Sequence, residues 1–309
     1  MLPAGHYACF FEMRVDTAKD QHMLFSHFPL LAASDISLWQ SFRALRKIWK
    51  RLWGRQKPPR RFRTFMTGCA ACHSITPSHE YSFEDLQGLY RDYRSKSYNR
   101  DRVSVEPSYA KLARNIGDHP LEIINRNKAA DAFLRKNAAH FAGGVALDYG
   151  GSDGRFLTPF MYETFSSIEI FEPSDVALHA TVGQTRVSKT ASPSKETYAF
   201  LACMHVLEHV GNPRAMVLEA RDFLVHGGLM YIEVPHELDT RMRNDFAHRI
   251  VDTPILIHEH INKFDILGMQ KLVESIDGLE LLDCAQDQVD QGYKAWDTGV
   301  NGRFLIRKR

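Results

Sequence analysis

From about residue 119 onward, apolar and polar positions form alternating blocks that predict helices and strands in turn. Helices are predicted near 121–138, 213–225 and 265–276. The apolar runs that predict strands are 145–149, 168–171, 198–203, 229–234, 279–284 and 303–306. Because strands that alternate with helices favour a parallel sheet covered on both faces, the pattern predicts a doubly wound α/β domain over residues 119–309.

A second pattern predicts an amphipathic helix over residues 38–53. At 100° per residue its apolar side chains, Trp49 and Trp53 among them, fall on one half of a helical wheel, and most of its Lys and Arg side chains fall on the other. Gly54 and then Pro58 end the helix. A helix of this kind either packs its apolar face on another part of the chain or lies at a membrane surface.

These patterns divide the chain into three parts. Residues 1–65 form an N-terminal extension that we expect to be rich in helix, and residues 66–118 form a lead-in segment before the α/β domain. Within the lead-in segment, Ser82 is a plausible cap for a helix that runs toward Tyr93. No internal repeat is evident along the chain.

Composition and charge add one asymmetry. The chain has 309 residues, of which 44% are apolar and 25% charged, and these globular values exclude wholesale disorder. The net charge is +2, yet residues 36–79 hold ten Lys and Arg and no Asp or Glu, leaving 29 basic against 37 acidic residues elsewhere. The basic helix therefore favours peripheral contact with an anionic membrane. A nucleic-acid partner is disfavoured, because no recognised RNA- or DNA-binding module accompanies the basic stretch.

The sequence also bears on localisation. No uncharged apolar run reaches the 18 residues of a membrane span. Asp16 and Asp20 lie where a signal peptide tolerates no acid. The five cysteines are odd in number and thinly spread, which argues against a disulfide framework. We therefore predict a cytoplasmic protein, with the basic helix at the inner membrane surface.

The strand predicted at 145–149 leads into a glycine-rich loop. The loop reads Asp148-x-Gly150-x-Ser152-x-Gly154, and glycines there let backbone N–H groups approach a ligand that a side chain would block. Glu172 lies 22 residues after Gly150 and ends the second strand, where a carboxylate can accept hydrogen bonds from ribose hydroxyls. Loop, spacing and acid together predict a cofactor that contains adenosine.

With this loop the chain resembles class I S-adenosylmethionine-dependent methyltransferases, whose first motif reads Asp/Glu-x-Gly-x-Gly-x-Gly; Ser152 replaces the middle glycine. The likeness covers about residues 120–309. It implies a Rossmann-like, seven-stranded sheet and S-adenosyl-L-methionine as cofactor. The residues that it places at the cofactor are Asp148, Gly150, Gly151, Ser152, Gly154, Glu172, Pro173, Cys203 and His205.

The segment His258-Glu259-His260 resembles the Glu-His element of sugar C-methyltransferases, in which these side chains lie over the substrate. The resemblance implies His260 and Glu259 as catalytic residues, with His209 as a further candidate, and a small-molecule or glycan-linked acceptor. A histidine with a pKa near neutrality suits the removal of a proton from the accepting atom. Alternatively, these polar side chains cap the helix at 265–276.

Two motifs match metal sites literally, and we predict no metal at either. His205-x-x-Glu208-His209 matches a zinc-peptidase pattern, but such a site needs both histidines on one helical face and a distant acid, whereas this motif lies in a strand-to-helix loop. Cys69 and Cys72, followed by a histidine, match a haem-attachment motif that requires export. The same pair is half of a four-ligand zinc ribbon, here interpreted as a degenerate knuckle without metal.

The sequence therefore predicts a methyltransferase that binds S-adenosylmethionine and acts on a small or glycan-linked acceptor. The runner-up is a non-catalytic protein that binds the cofactor or works as an interaction module at the membrane surface. Ser152, in place of a motif glycine, favours this second interpretation. The sequence indicates no oligomeric state.

Overall fold

A computed structural model describes the parts of the chain in which the α/β domain lies. The described residues are 10–11, 66–69, 74–77, 96–105, 110, 120–173, 177–178, 185–236, 260–289 and 299–309. The helices predicted over 38–53 and from Ser82 toward Tyr93 lie outside these residues, and the three-part division of the chain stays a prediction.

The described residues before 119 form a small sheet and a helix. Strands β1 (Phe10–Phe11), β2 (Met66–Cys69) and β3 (Ile75–Pro77) pair antiparallel in the order β1-β2-β3. Helix α1 spans Lys96–Val105. Ile75 is fully buried and exchanges two backbone hydrogen bonds with Lys263 of the α/β domain, so β3 packs against that domain.

The α/β domain follows the predicted alternation of elements. Its elements are α2 (Pro120–Lys136), β4 (Val145–Tyr149), α3 (Pro159–Thr164), β5 (Ser167–Phe171), β6 (Arg186–Thr190), β7 (Tyr198–Met204), α4 (Pro213–Phe223), β8 (Leu224–Pro235), α5 (Ile266–Glu274), β9 (Leu279–Val289) and β10 (Gly299–Lys308). Short 3₁₀ turns cover Ala138–His140 and Leu207–His209. The predicted helices and strands are confirmed within a few residues.

The sheet has seven strands in the order β6-β5-β4-β7-β8-β10-β9, which confirms the predicted α/β class and strand number. The alternating pattern predicted a parallel sheet, and strands β6, β5, β4, β7 and β8 are parallel, whereas β10 runs antiparallel to both β8 and β9. Strand β6 was not predicted. Its sequence, Arg-Val-Ser-Lys-Thr, is polar because it forms an edge of the sheet, where only part of each side chain is covered.

The central strands are buried on both faces of the sheet. In β7, Leu201 and Cys203 pack into one apolar cluster, while Phe200 and Ala202 pack into the other. Helices on either face cover these clusters, which explains why the strand reads as an unbroken apolar run. No helix among the described residues is long and apolar enough to cross a bilayer.

The strand order reverses direction beside β4, which pairs with β5 on one side and β7 on the other, all three parallel. In doubly wound sheets, ligands bind outside the carboxyl ends of the strands at such a switch point. The glycine-rich loop follows β4, Glu172 follows β5 and His205 follows β7. The topology therefore brings the predicted site residues to one edge of the sheet.

Candidate active site

The glycine-rich loop turns tightly against its neighbours. Gly150 has a φ of +74° and donates a backbone hydrogen bond of 2.8 Å to Phe171 O at the end of β5. A Cβ at Gly151 would lie 2.1 Å from Asp148 Oδ2, closer than side-chain carbons approach other atoms. Both positions therefore require glycine, and the backbone of the loop stays accessible to a ligand.

Ser152 stands where the related motif has glycine, and it keeps the conformation that glycine favours. Its φ is +51°, in the left-handed region, at a cost of about 1–2 kcal/mol for a residue with a Cβ. Its backbone N–H donates a 3.2 Å hydrogen bond to Glu172 Oε2. The loop and the acid at the end of β5 are thus joined directly, and Pro173 follows Glu172 on the exposed side.

Asp148 is a buried carboxyl group at the base of the loop, 1% exposed. Neither of its carboxylate oxygens has a hydrogen-bond partner within the described residues. Burial, with a smaller contribution from the nearby negative charge of Glu172, raises its pKa to about 7. A bound group that offers a hydrogen-bond donor or a positive charge would satisfy this carboxylate. S-adenosylmethionine carries both, so the residues present fit the expected cofactor.

His205 lies between two carboxylates just after β7. Its φ is +56°, its Nε2 lies 3.2 Å from Glu233 Oε1, and its Nδ1 lies 3.4 Å from Glu208 Oε1. Removal from solvent, assisted by the positive charge of Arg126, lowers its pKa to about 4. His205 is therefore neutral at physiological pH, and its ring lies between the carboxylates of Glu233 and Glu208.

Glu233 on β8 is the centre of a buried polar network that the sequence analysis did not identify. Its Oε1 accepts from Arg126 Nε at 3.2 Å, and its Oε2 accepts from Arg303 Nε at 3.2 Å and from the Tyr231 hydroxyl at 2.8 Å. Burial acts to raise the pKa of Glu233, but the two guanidinium groups and His205 hold it well below its usual range. An acid within an otherwise apolar strand was the sequence signal that could have revealed it.

Glu208, His209 and His260 form a second cluster beside His205. One ligand-type atom from each lies within 4.8 Å of the other two. The rings of His209 and His260 meet edge to face with centroids 4.9 Å apart, and His209 Nε2 lies 3.8 Å from Glu208 Oε1. The structure thus brings together two predicted catalytic residues, and it adds Glu208, which the sequence did not predict as a site residue.

Two other predicted site residues need separate mention. Glu259 lies outside the described residues. Cys203 is buried at the end of β7 within an apolar cluster, and burial, with the charges of Glu208 and Asp148, raises the pKa of its thiol well above the usual value. The thiol is therefore protonated and lies beneath the loops of the site.

Comparison with known proteins identifies the domain that carries this site. The family model described as "Methyltransferase domain" matches residues 123–282, just over half of the chain. The match begins within α2 and ends within β9, so it contains the glycine-rich loop, Glu172 and the Glu208–His260 cluster.

Several solved structures resemble the chain at low identity. A SAM-dependent methyltransferase from Leishmania major is 13% identical over 66% of this chain and 76% of its own, with a TM-score of 0.40. One from Anabaena variabilis is 16% identical over 60% and 86%, with a TM-score of 0.43. The N-methyltransferase NodS from Bradyrhizobium japonicum is 14% identical over 59% and 94%, with a TM-score of 0.38. Since these sequence identities and TM-scores are low, the assignment to the methyltransferase domain family rests on the match to the family model.

Proposed function

The chain belongs to the methyltransferase domain family, and on that premise we propose that it methylates a polar group of a small-molecule or glycan-linked acceptor. S-adenosylmethionine is the cofactor, as the sequence predicted. When bound, it supplies an electrophilic methyl group on a sulfonium centre. The enzyme is thus a methyltransferase, and the acceptor is the part of its function that is proposed.

The observation that carries this proposal is the pairing of His209 with His260 at the carboxyl edge of the sheet, next to the loop after β4. Both rings are partly exposed, so an acceptor can reach them. Imidazole nitrogens suit an acceptor whose hydroxyl or amine must lose a proton as the methyl group arrives. The likeness of 258–260 to the Glu-His element of sugar methyltransferases supports a glycan or a related polyol as that acceptor.

The residues of the chain contribute mainly orientation. The backbone of the glycine-rich loop and the Glu172 carboxylate hold the cofactor, and Asp148 meets a donor or cationic group of it. The buried network of Glu233 lies against the ring of His205 at the end of β7. Holding the methyl group and the accepting atom in line lowers the barrier by removing the entropy of their encounter.

Peripheral membrane contact is also part of the proposal. It rests on the helix predicted over residues 38–53, in which apolar side chains and most Lys and Arg side chains lie on opposite faces. These residues lie outside the described residues. A glycan-linked acceptor anchored in a membrane would place the substrate and the basic helix at the same surface.

Isotope transfer tests the acceptor proposal. The purified chain is incubated with methyl-labelled S-adenosylmethionine and a cell extract separated into polar small-molecule, glycan and protein fractions. We expect label in the first or second fraction, with His260→Ala slowing transfer by about 10²–10⁴-fold while the affinity for S-adenosylhomocysteine is unchanged. The matched control is His226→Ala, at an exposed histidine far from the cluster in the fold. Label found only in protein, or full transfer by His260→Ala, contradicts the proposal.

A further inference from the structure

We propose that Glu208, His209 and His260 bind one divalent transition-metal ion. One donor atom from each residue lies within 4.8 Å of the other two, and the three come from two separate segments of the chain. The sequence predicted no metal at the motif that contains Glu208, because the motif lies in a strand-to-helix loop and its two histidines do not share one helical face. In the fold, the third ligand is a histidine from the segment before α5.

The distances are close to those of a metal centre. Ligand atoms about 2.1 Å from a zinc-like ion in a tetrahedral site lie about 3.4 Å from one another. His209 Nε2 and Glu208 Oε1 are 3.8 Å apart, so this pair needs a closure of about 0.4 Å. The His260 donor atom lies within 4.8 Å of both, so it needs a closure of at most about 1.4 Å. Rotation of the two partly exposed imidazole side chains supplies such a movement without displacing the backbone.

Asn262 already holds together the two segments that carry the proposed metal ligands. Its backbone N–H donates to Glu208 O at 3.0 Å, and its side-chain amide donates to Leu207 O at 3.1 Å and Val210 O at 2.7 Å. Asn262 is 1% exposed, so these hydrogen bonds are shielded from water. The 3₁₀ turn that carries Glu208 and His209 is therefore fixed against the segment that carries His260, which reduces the cost of organising the site.

The donor set indicates the class of ion. Two imidazoles and one carboxylate suit Zn²⁺, Fe²⁺, Mn²⁺ or Co²⁺, whereas Mg²⁺ and Ca²⁺ prefer ligand sets made of oxygen. Glu208 is fully buried, and a buried carboxylate is stabilised when it coordinates a metal. His205 lies beside that carboxylate, with its Nδ1 3.4 Å from Glu208 Oε1.

Three protein ligands leave at least one coordination position for the acceptor, a role that rests on the proposed function. An acceptor hydroxyl coordinated there loses its proton to solvent more readily, because the ion stabilises the oxyanion. The oxygen then forms a bond to the methyl carbon as the carbon–sulfur bond breaks, and both electrons of that bond remain on sulfur. In the metal-bound enzyme His260 is therefore a ligand, and the ion takes over the activation of the acceptor that the proposed function assigns to a free imidazole.

Metal binding is tested on the full chain carrying Cys69→Ser and Cys72→Ser, so that no thiolate pair competes for the ion. After treatment with a chelator, Zn²⁺ is titrated by calorimetry and Co²⁺ by its visible absorption. We expect one equivalent per chain, with His209→Ala, His260→Ala and Glu208→Gln each weakening binding by at least about 10–100-fold. His226→Ala, at an exposed histidine of the same domain, should bind the ion as the parent does.

Folding of each variant is checked by its affinity for S-adenosylhomocysteine, which does not require the ion. The proposal is overturned if the parent binds no ion, or if folded His209→Ala and His260→Ala bind it unchanged. It is also overturned, as a catalytic site, if the chelated parent transfers methyl groups at full rate. Normal ion binding by a chain that methylates no acceptor would instead contradict the proposed function and leave the metal site standing.

Discussion

Replacing Asp148 by asparagine should stabilise the cofactor-free protein above neutral pH. The Asp148 carboxyl group is buried, has no hydrogen-bond partner for either oxygen within the described residues, and has a pKa raised to about 7 mainly by burial. Its ionised form is therefore costly in the folded chain. Asparagine keeps nearly the same shape, fits beneath Gly151 and carries no charge.

The sign and size of the effect follow from the difference between the two pKa values. In the unfolded chain the pKa is near 3.8, so between about pH 4 and 7 the folded state binds a proton that the unfolded state has released. Folding stability therefore falls as the pH rises through this window. An increase in the pKa of Asp148 from 3.8 to about 7 corresponds to about 4 kcal/mol of free energy of unfolding, at 1.36 kcal/mol per pKa unit. The advantage of Asp148→Asn should approach this value at pH 8 and vanish near pH 4.

Urea unfolding at pH 5, 6.5 and 8, without cofactor, measures the difference in free energy of unfolding between the wild type and Asp148→Asn. Asp277→Asn is the matched control, because Asp277 is an exposed aspartate of the same domain. The reasoning is refuted if the difference between wild type and Asp148→Asn is constant across this range, or if the variant is the less stable protein at pH 8.

Three further predictions concern other parts of the chain. Gly151→Ala should abolish binding of S-adenosylhomocysteine in calorimetry, because the added Cβ collides with a carboxylate at 2.1 Å; normal binding would contradict the requirement for glycine at this position. Glu233→Gln should lower the free energy of unfolding in urea by about 3–5 kcal/mol, since two buried arginines lose the carboxylate that they share and each keeps only one other acidic partner; a loss below about 1 kcal/mol would contradict this. Binding to anionic vesicles should weaken in high salt and on replacing Trp49 and Trp53 by alanine. Equal binding to neutral and anionic vesicles would favour a helix packed on the domain.

Much of the fold could be predicted because a strand that is buried on both faces of the sheet has an almost entirely apolar sequence. The residues of β7 are nearly all apolar, and the glycines after β4 mark a turn that only glycine permits. The same loop, with Glu172 in the expected place, predicted the cofactor. These features depend on short stretches of sequence, in which local pattern and local structure agree.

Other features depend on contacts between distant residues. The polar sequence of β6 resembles a loop, because an edge strand is only partly covered. Hydrophobic periodicity does not indicate in which direction a strand runs within a sheet, so the antiparallel orientation of β10 was not predicted. The approach of His260 to Glu208 requires the fold itself, since Asn262 joins the two segments through backbone and side-chain hydrogen bonds. The cluster of Glu208 with His260 could therefore not be predicted from the residues of the motif alone.

The most direct test of the central claim, that the loop after β4 and the acid after β5 hold S-adenosylmethionine, is a calorimetric titration of the wild type and Glu172→Ala with S-adenosylhomocysteine. Binding near one equivalent per chain is expected for the wild type, with Glu172→Ala weaker by about 1–3 kcal/mol, the cost of losing a charged hydrogen bond. Glu163→Ala, at an exposed acid of α3 away from the loop, should bind as the wild type does. Absence of binding to the wild type, or equal affinity for Glu172→Ala, would contradict the claim.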